Sequence, residues 1–182
     1  RLHAPVKRTR LFKLLDERKH PPIVWVSGPP GAGKTTLVAS YLEARKANTF
    51  WYQVDEGDRD PATLFHYLAE LAQHSRVRRR GALPIFTADF LPDLMGFSQR
   101  YFRALFRQLG AGAVLVLDNC QDAEGEAFHV ILREACREIP PDCQLFALSR
   151  SSAPSTLACE IANQRLYSLA WPQLRLSDDE AT

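Results

Sequence analysis

Nine consecutive residues constrain this chain more than any others: Gly28-Pro29-Pro30-Gly31-Ala32-Gly33-Lys34-Thr35-Thr36. They fit G-x-x-x-x-G-K-[ST], the pattern of a phosphate-binding loop. A glycine-rich turn lets successive backbone N–H groups point inward around an anion. The turn then enters a helix, whose free N-terminal N–H groups and dipole also favour negative charge. Lys34 is expected to reach the β- and γ-phosphates of a nucleotide, and the Thr35 hydroxyl to ligate Mg²⁺. Pro29, Pro30, Gly31, Ala32, Gly33, Lys34, Thr35 and Thr36 form the expected cradle.

Such a pattern is short, so its flanks decide whether it is a site. It must follow a buried strand and open a helix. Ile23-Val24-Trp25-Val26 is a short apolar run preceded by Pro21-Pro22. That is the pattern of a buried parallel strand. After the loop, Leu37, Val38, Tyr41 and Leu42 recur at helical spacing. Both flanks agree with a phosphate loop.

The 182 residues are enough for one domain with a full core. At 46% hydrophobic and 24% charged residues the composition is that of a soluble globular chain. A net charge of only +2 gives no bulk electrostatic reason to expect a nucleic-acid or membrane surface as partner. No apolar run approaches a membrane span, and no signal-peptide pattern opens the chain. Cys120, Cys136, Cys143 and Cys159 lack C-x-x-C spacing and read as buried thiols of a reducing compartment, so a cytoplasmic location is expected. The start at Arg1 without Met, and the stop at Thr182 inside a promising helix start, point to a segment of a longer protein.

Strands and helices alternate along the chain. Residues 1–8 read as an irregular arm, and Thr9 as the cap of a helix carrying Leu11, Leu14 and Leu15. Strands are expected at 23–27, 49–54, 113–118 and 144–149, with a weaker one at 165–169. Helices are expected from the phosphate loop to about residue 46, after Asp60-Pro61, and over 97–109 and 125–138. The helix after Pro61 stacks Leu64, Phe65, Leu68, Leu71 and Ala72. The helix over 97–109 turns Tyr101, Phe102, Leu105, Phe106 and Leu109 inward and Arg100, Arg103 and Arg107 outward. Residues 75–95, with Arg78-Arg79-Arg80-Gly81 and several prolines, read as a long exposed loop. The alternation predicts an α/β fold: a parallel sheet covered by helices on both faces.

A second signature is the apolar run Val114-Leu115-Val116-Leu117 ending in Asp118. A carboxylate at the carboxyl end of a strand can hold Mg²⁺, and parallel sheets place their sites at that edge. Alone the pattern also fits a turn-forming aspartate. Following a phosphate loop, it reads as the Walker B strand. Asn119 comes next, where many such ATPases carry a carboxylate. An amide can orient water but is no base near neutral pH. Arg150, just past a strand, could meet a γ-phosphate with bidentate hydrogen bonds, or be a surface arginine. Asp55-Glu56-Gly57-Asp58 could position water or Mg²⁺, although a solvated turn is the reading we favour from sequence.

With these residues in place, the chain resembles the STAND class of signal-transduction ATPases. It looks closest to the nucleotide-binding domain of large ATP-dependent LuxR-type regulators of the maltose-activator type. The resemblance is carried by Val6-Lys7-Arg8-Thr9-Arg10-Leu11, the phosphate loop, and Trp51-Tyr52 followed by Asp55–Asp58. It continues through Leu115–Asn119, Leu148-Ser149-Arg150 and Trp171–Leu176 with Asp179-Glu180-Ala181. It implies a three-layer P-loop fold with strand order 5-1-4-3-2, and Arg8 lying along the adenine. It also implies that Arg150 senses the γ-phosphate and that a helical lid begins at 171. The corresponding division is an arm and entry helix at 1–20, a nucleotide-binding domain at 21–170, and the lid start at 171–182. ATP or ADP with Mg²⁺ are the implied ligands, with Lys34, Asp118 and Arg150 as catalytic residues and Thr35 and Asp118 on the metal. Asn119 departs from many relatives of that class.

The expected function is a nucleotide switch with slow ATP hydrolysis that controls self-association of a larger signal-responsive regulator. DNA would be met only through a domain outside this sequence, and no membrane partner is expected. A steadily turning AAA-type ATPase, a small-molecule or nucleotide kinase and a binding-only phosphate loop are the alternatives.

Overall fold

Five short runs of the chain pair into one parallel sheet. They are β1 (Ile23–Ser27), β2 (Asn48–Gln53), β3 (Ala113–Asp118), β4 (Gln144–Ser149) and β5 (Leu166–Leu169), in the order β2-β3-β4-β1-β5. Read from the other edge this is 5-1-4-3-2, as the resemblance implied. The computed structural model describes residues 9–17, 21–73 and 81–175. Every residue of β1 and β3 is buried. That explains their unbroken apolar runs, since a strand covered on both faces has no solvent side to alternate with.

Alternate residues of each strand feed two cores. Ile23, Trp25, Phe50, Tyr52, Leu115, Leu117, Leu145 and Ala147 face one side, under α3 (Pro61–Gln73), α4 (Leu94–Leu109) and α5 (Glu126–Glu138). Val24, Val26, Val114, Val116, Phe146 and Leu148 face the other. There they meet Leu11, Phe12 and Leu15 of α1 (Thr9–Glu17) and Leu37, Val38, Tyr41 and Leu42 of α2 (Lys34–Ala44). The short α6 (Ala158–Ala162) and α7 (Trp171–Leu174) flank β5, and Leu174 joins the second core. No helix among the described residues is long and apolar enough to cross a membrane.

Three expectations need correction. First, the stretch expected as a long exposed loop is mostly exposed, but it carries a 3₁₀ turn at Ala88–Asp93 and is anchored by two half-buried aromatic residues. Phe86 and Phe90 lie against the core, and the Phe86 ring sits 5.3 Å from Phe65 and 4.9 Å from Phe97. The prolines hid this, because Phe86 and Phe90 belong to no apolar stripe of helical or strand period. Arg78–Arg80 lie outside the described residues. In the same region α4 begins at Leu94, three residues before its expected start. The Asp93 carboxylate caps it, accepting from the Gly96 N–H at 3.1 Å.

Second, Asp55–Asp58 is not a plain solvated turn. Asp55 accepts from Gly57 N–H at 2.7 Å, and its own N–H donates to Asp58 at 2.9 Å. Asp58 is 2% exposed and takes the Tyr52 hydroxyl at 2.6 Å. Burial and this bond hold the Tyr52 phenol well above its ordinary pKa. These acids close the turn after β2. Third, Cys159 is exposed, whereas Cys120, Cys136 and Cys143 are buried as expected. Burial pushes the Cys120 thiol up to about 12.

The inward and outward faces of α4 agree with their spacing. Tyr101, Phe102, Leu105, Phe106 and Leu109 are buried, and the Tyr101 hydroxyl donates to the Phe65 carbonyl at 2.7 Å. The outer arginines are partly neutralised, Arg100 by Asp93 at 3.5 Å and Arg103 by Glu138 at 2.5 Å. The Tyr52–Asp58 contact yields a stability prediction. Tyr52→Phe should lower unfolding free energy by about 1–3 kcal/mol, the cost of leaving a buried acceptor short of a donor. Urea denaturation measures it. A change within about 0.3 kcal/mol would mean that water replaces the phenol at no cost.

Candidate functional site

The phosphate loop joins β1 to α2 at the carboxyl edge of the sheet, where parallel α/β folds place their sites. Gly31 and Gly33 sit at φ 76° and 74°, in the left-handed region. A side chain there would strain both turns, which is why the loop needs glycine at these two positions. Pro29 and Pro30 have no N–H, so they shape the loop but cannot donate to a phosphate. The loop closes through Ala32 N–H on the Pro29 carbonyl at 3.2 Å. Helix α2 starts at Lys34, so the N–H groups of Lys34, Thr35 and Thr36 lie in its first turn without intrahelical acceptors.

Lys34 spans the mouth of the loop. Its ammonium donates to the carbonyls of Gly28 at 2.7 Å and Pro29 at 3.1 Å. Burial lowers its pKa, Asp118 acts against that, and Arg150 lowers it further. The structure therefore brings Lys34 within electrostatic reach of both residues predicted to share its site.

Asp118 ends β3 and is 2% exposed. One of its oxygens accepts from the Thr35 hydroxyl at 3.0 Å. The other, Oδ1, is buried without a hydrogen-bond partner among the described residues. A buried carboxylate oxygen left short is costly unless something cationic satisfies it. Thr35 Oγ1 and Asp118 together offer the hard oxygen donors that Mg²⁺ takes, so these residues fit that ion.

Arg150 follows the last residue of β4 and is exposed. Its backbone, by contrast, is tied down. The Arg150 N–H donates to the Gln121 side-chain oxygen at 3.0 Å, and the preceding Ser149 carbonyl accepts from Gly28 N–H at 3.3 Å. Further on, the Trp25 indole donates to the Ser151 carbonyl at 3.0 Å. Asn119 has φ 65°, and its carbonyl accepts from Asp122 N–H at 2.9 Å. Asparagine tolerates that backbone better than most residues, so its presence has a structural cause beside any chemical one. Arg8 lies outside the described residues, as does 176–182.

The first glycine of the loop is also roofed. A Cβ on Gly28 would come within 3.2 Å of Leu174 and 3.6 Å of Trp171. Helix α1 holds the same roof, since the Arg10 guanidinium donates to the carbonyls of Gln173 at 2.9 Å and Arg175 at 3.1 Å. Helices α1 and α7 are thus joined, and α7 packs beside the first glycine of the phosphate loop. The sequence places Arg10 in the entry segment and Trp25 in the β1 run, but not the bonds that they and Gln121 make. No motif marks these bonds, because each reaches a backbone group far away in sequence.

The loop N–H groups and Lys34 fit a polyphosphate, and Thr35 with Asp118 fits a divalent cation. The residue after Asp118 gives the site no carboxylate base. The AAA ATPase domain family model matches residues 7–148. The HTH-type transcriptional regulator MalT of Vibrio cholerae is 30% identical over 85% of this chain and 17% of its own length. MalT of Yersinia enterocolitica is 28% identical over the whole chain and 20% of its own. This chain therefore spans about a fifth or less of the length of these relatives. Among solved structures, the Aeropyrum pernix Orc1 protein in complex with DNA aligns with a TM-score of 0.54 at 18% identity. It covers 93% of this chain and 45% of that one, a likeness of fold alone. From the phosphate loop, the Walker B strand and the sheet order, the chain belongs to the AAA ATPase domain family, and it is similar along most of its length to a segment of MalT-type transcriptional regulators.

Proposed function

We propose that this chain is an ATP/ADP-operated switch within a larger signal-responsive transcriptional regulator. The observation that carries the reading is the convergence of Lys34, Thr35, Asp118 and Arg150 at one sheet edge, with a buried Asp118 oxygen unsatisfied. ADP and ATP differ by one phosphate. A protein can respond to that difference only through contacts the γ-phosphate alone makes. Arg150 is the group for this role, since its guanidinium makes no hydrogen bond or ion pair among the described residues while its backbone is fixed. Lys34 meets the β-phosphate as well and so holds both nucleotides. Mg²⁺, when bound, would be held by Thr35 and Asp118 and would neutralise charge on the β- and γ-oxygens.

In this reading ADP keeps the regulator closed, and ATP favours a form that self-associates. Hydrolysis resets it slowly, because Asn119 supplies no base for the attacking water. The roof of Trp171 and Leu174 over Gly28 ties nucleotide state to whatever follows residue 175. The segments 1–20, 21–170 and 171–182 then act as entry arm, nucleotide domain and lid start, and Arg8 lies along the adenine. Contact with DNA is made through another part of the parent protein, in keeping with the relatives' names, and the working location is the cytoplasm.

Three outcomes are expected. Lys34→Ala should abolish binding of both ADP and a non-hydrolysable ATP analogue by calorimetry; affinities equal to wild type would contradict the site. Arg150→Ala should weaken the ATP analogue about ten- to hundredfold, as expected for a charge-assisted hydrogen bond, and leave ADP unchanged. Equal losses for the two ligands would remove Arg150 as sensor. Steady-state turnover should lie far below the common enzyme value of about 10 per second. Asn119→Asp, which suits the same backbone, should raise it; a wild-type rate near the common value would favour a steadily turning ATPase instead.

A further inference from the structure

The peptide group between Ser149 and Arg150 is held at both ends. Its carbonyl accepts from Gly28 N–H, the first residue of the phosphate loop, at 3.3 Å. Its N–H donates to the Gln121 side-chain oxygen at 3.0 Å. Strand pairing accounts for the first end, because Ser149 is in register with Ser27 of β1. It does not account for the second. The β3–β4 register runs only to Leu117 and Ala147, and beyond it β3 turns away at Asn119. A side chain therefore does there what a strand would otherwise do.

The Gln121 amide is oriented from both sides. Arg150 N–H can only donate, so it faces Oε1. The Gln121 Nε2 then faces Asp122 Oδ1, an acceptor, at 3.1 Å. The turn that carries both residues is anchored in its own right. Asp122 N–H donates to the Asn119 carbonyl at 2.9 Å, and the Asp122 carbonyl accepts from the Arg59 guanidinium at 3.1 Å. Gln121 thus links the turn directly after Asp118 to the residue proposed to read the γ-phosphate.

We infer that Gln121 is a positioning residue: it fixes the Ser149–Arg150 peptide plane so that the Arg150 guanidinium is aimed at the γ-phosphate, and it couples that aim to the turn following Asp118. The inference rests on the proposed role of Arg150. Fixing the backbone of a long side chain lessens the freedom it loses on binding, so the effect should fall on ATP and spare ADP. A merely structural glutamine would change stability and leave the preference between nucleotides alone.

The test measures the ratio of affinities for a non-hydrolysable ATP analogue and ADP in the intact chain, with thermal melts alongside. Gln121→Leu keeps the bulk and removes the acceptor. It should lower the ratio about two- to tenfold, the span of one hydrogen bond to a neutral group, and leave ADP affinity as it was. Gln121→Glu combined with Asp122→Asn reverses the polarity of the side-chain pair and keeps an acceptor for Arg150 N–H. It should restore the ratio. Gln121→Leu added to Arg150→Ala should change the ratio no further than Arg150→Ala alone. If Arg150→Ala lowers the ratio and Gln121→Leu does not, the positioning role is wrong and the sensor role stands. If Arg150→Ala itself leaves the ratio unchanged, both fall. Should Gln121→Leu fail to fold, Gln121→Asn withdraws the acceptor by one methylene and must show the same selective loss.

Discussion

Strand β4 lies between β3 and β1, and its two backbone ladders decide where the chemistry of this chain gathers. Ser27 is in register with Ser149, and Leu117 with Ala147. Three chain segments far apart in sequence therefore leave the sheet at nearly one level. One becomes the phosphate loop, one ends in Asp118 and one leads to Arg150. Parallel pairing forces this common edge, since all carboxyl ends point the same way. A slip of one residue in either ladder would turn each strand's alternating core residues to the wrong face. The two cores that bury Ile23 and Trp25 on one side and Val24 and Val26 on the other thus also hold the site in place.

Charge is concentrated where the ladders end. Lys34 is partly buried and feels both the charge of Asp118 and that of Arg150, and its bonds to the Gly28 and Pro29 carbonyls compensate for part of its desolvation. Asp118 is satisfied on one oxygen only. Both features make sense in a site built for a more negative occupant and a divalent cation. Two like-charged side chains near one point favour a polyanion between them, and a short-handed carboxylate favours Mg²⁺. The position after Asp118, where a base could stand, is an asparagine in a left-handed turn.

Much of this was legible in the sequence because the signals are local. The phosphate loop is contiguous. The β3 and β4 strands are unbroken apolar runs, and their observed bounds equal those expected. Helix faces followed from spacing, as for Phe102 and Phe106. What stayed hidden depends on contacts between distant residues. Gln121 meets Arg150 across 29 positions, and Trp25 meets Ser151 across 126. Leu174 covers Gly28 only because β5 returns beside β1. Asp58 looked like one acid among three, yet the Tyr52 hydroxyl buries it. The anchoring of Phe86 and Phe90 was concealed by prolines and by the absence of any period.

The loop carbonyls hold the Lys34 ammonium where phosphate oxygens would replace them, and Arg150 is proposed to meet only the γ-phosphate. The most direct measurement is a crystal structure of the chain with Mg²⁺ and a non-hydrolysable ATP analogue, set beside one with ADP. With the analogue, Lys34 should leave the Gly28 and Pro29 carbonyls for the phosphates, and Thr35 and Asp118 should flank the metal. Arg150 should touch the γ-phosphate there and touch no phosphate in the ADP complex. A nucleotide seated away from the loop, or an Arg150 that contacts both ligands alike, would contradict this reading.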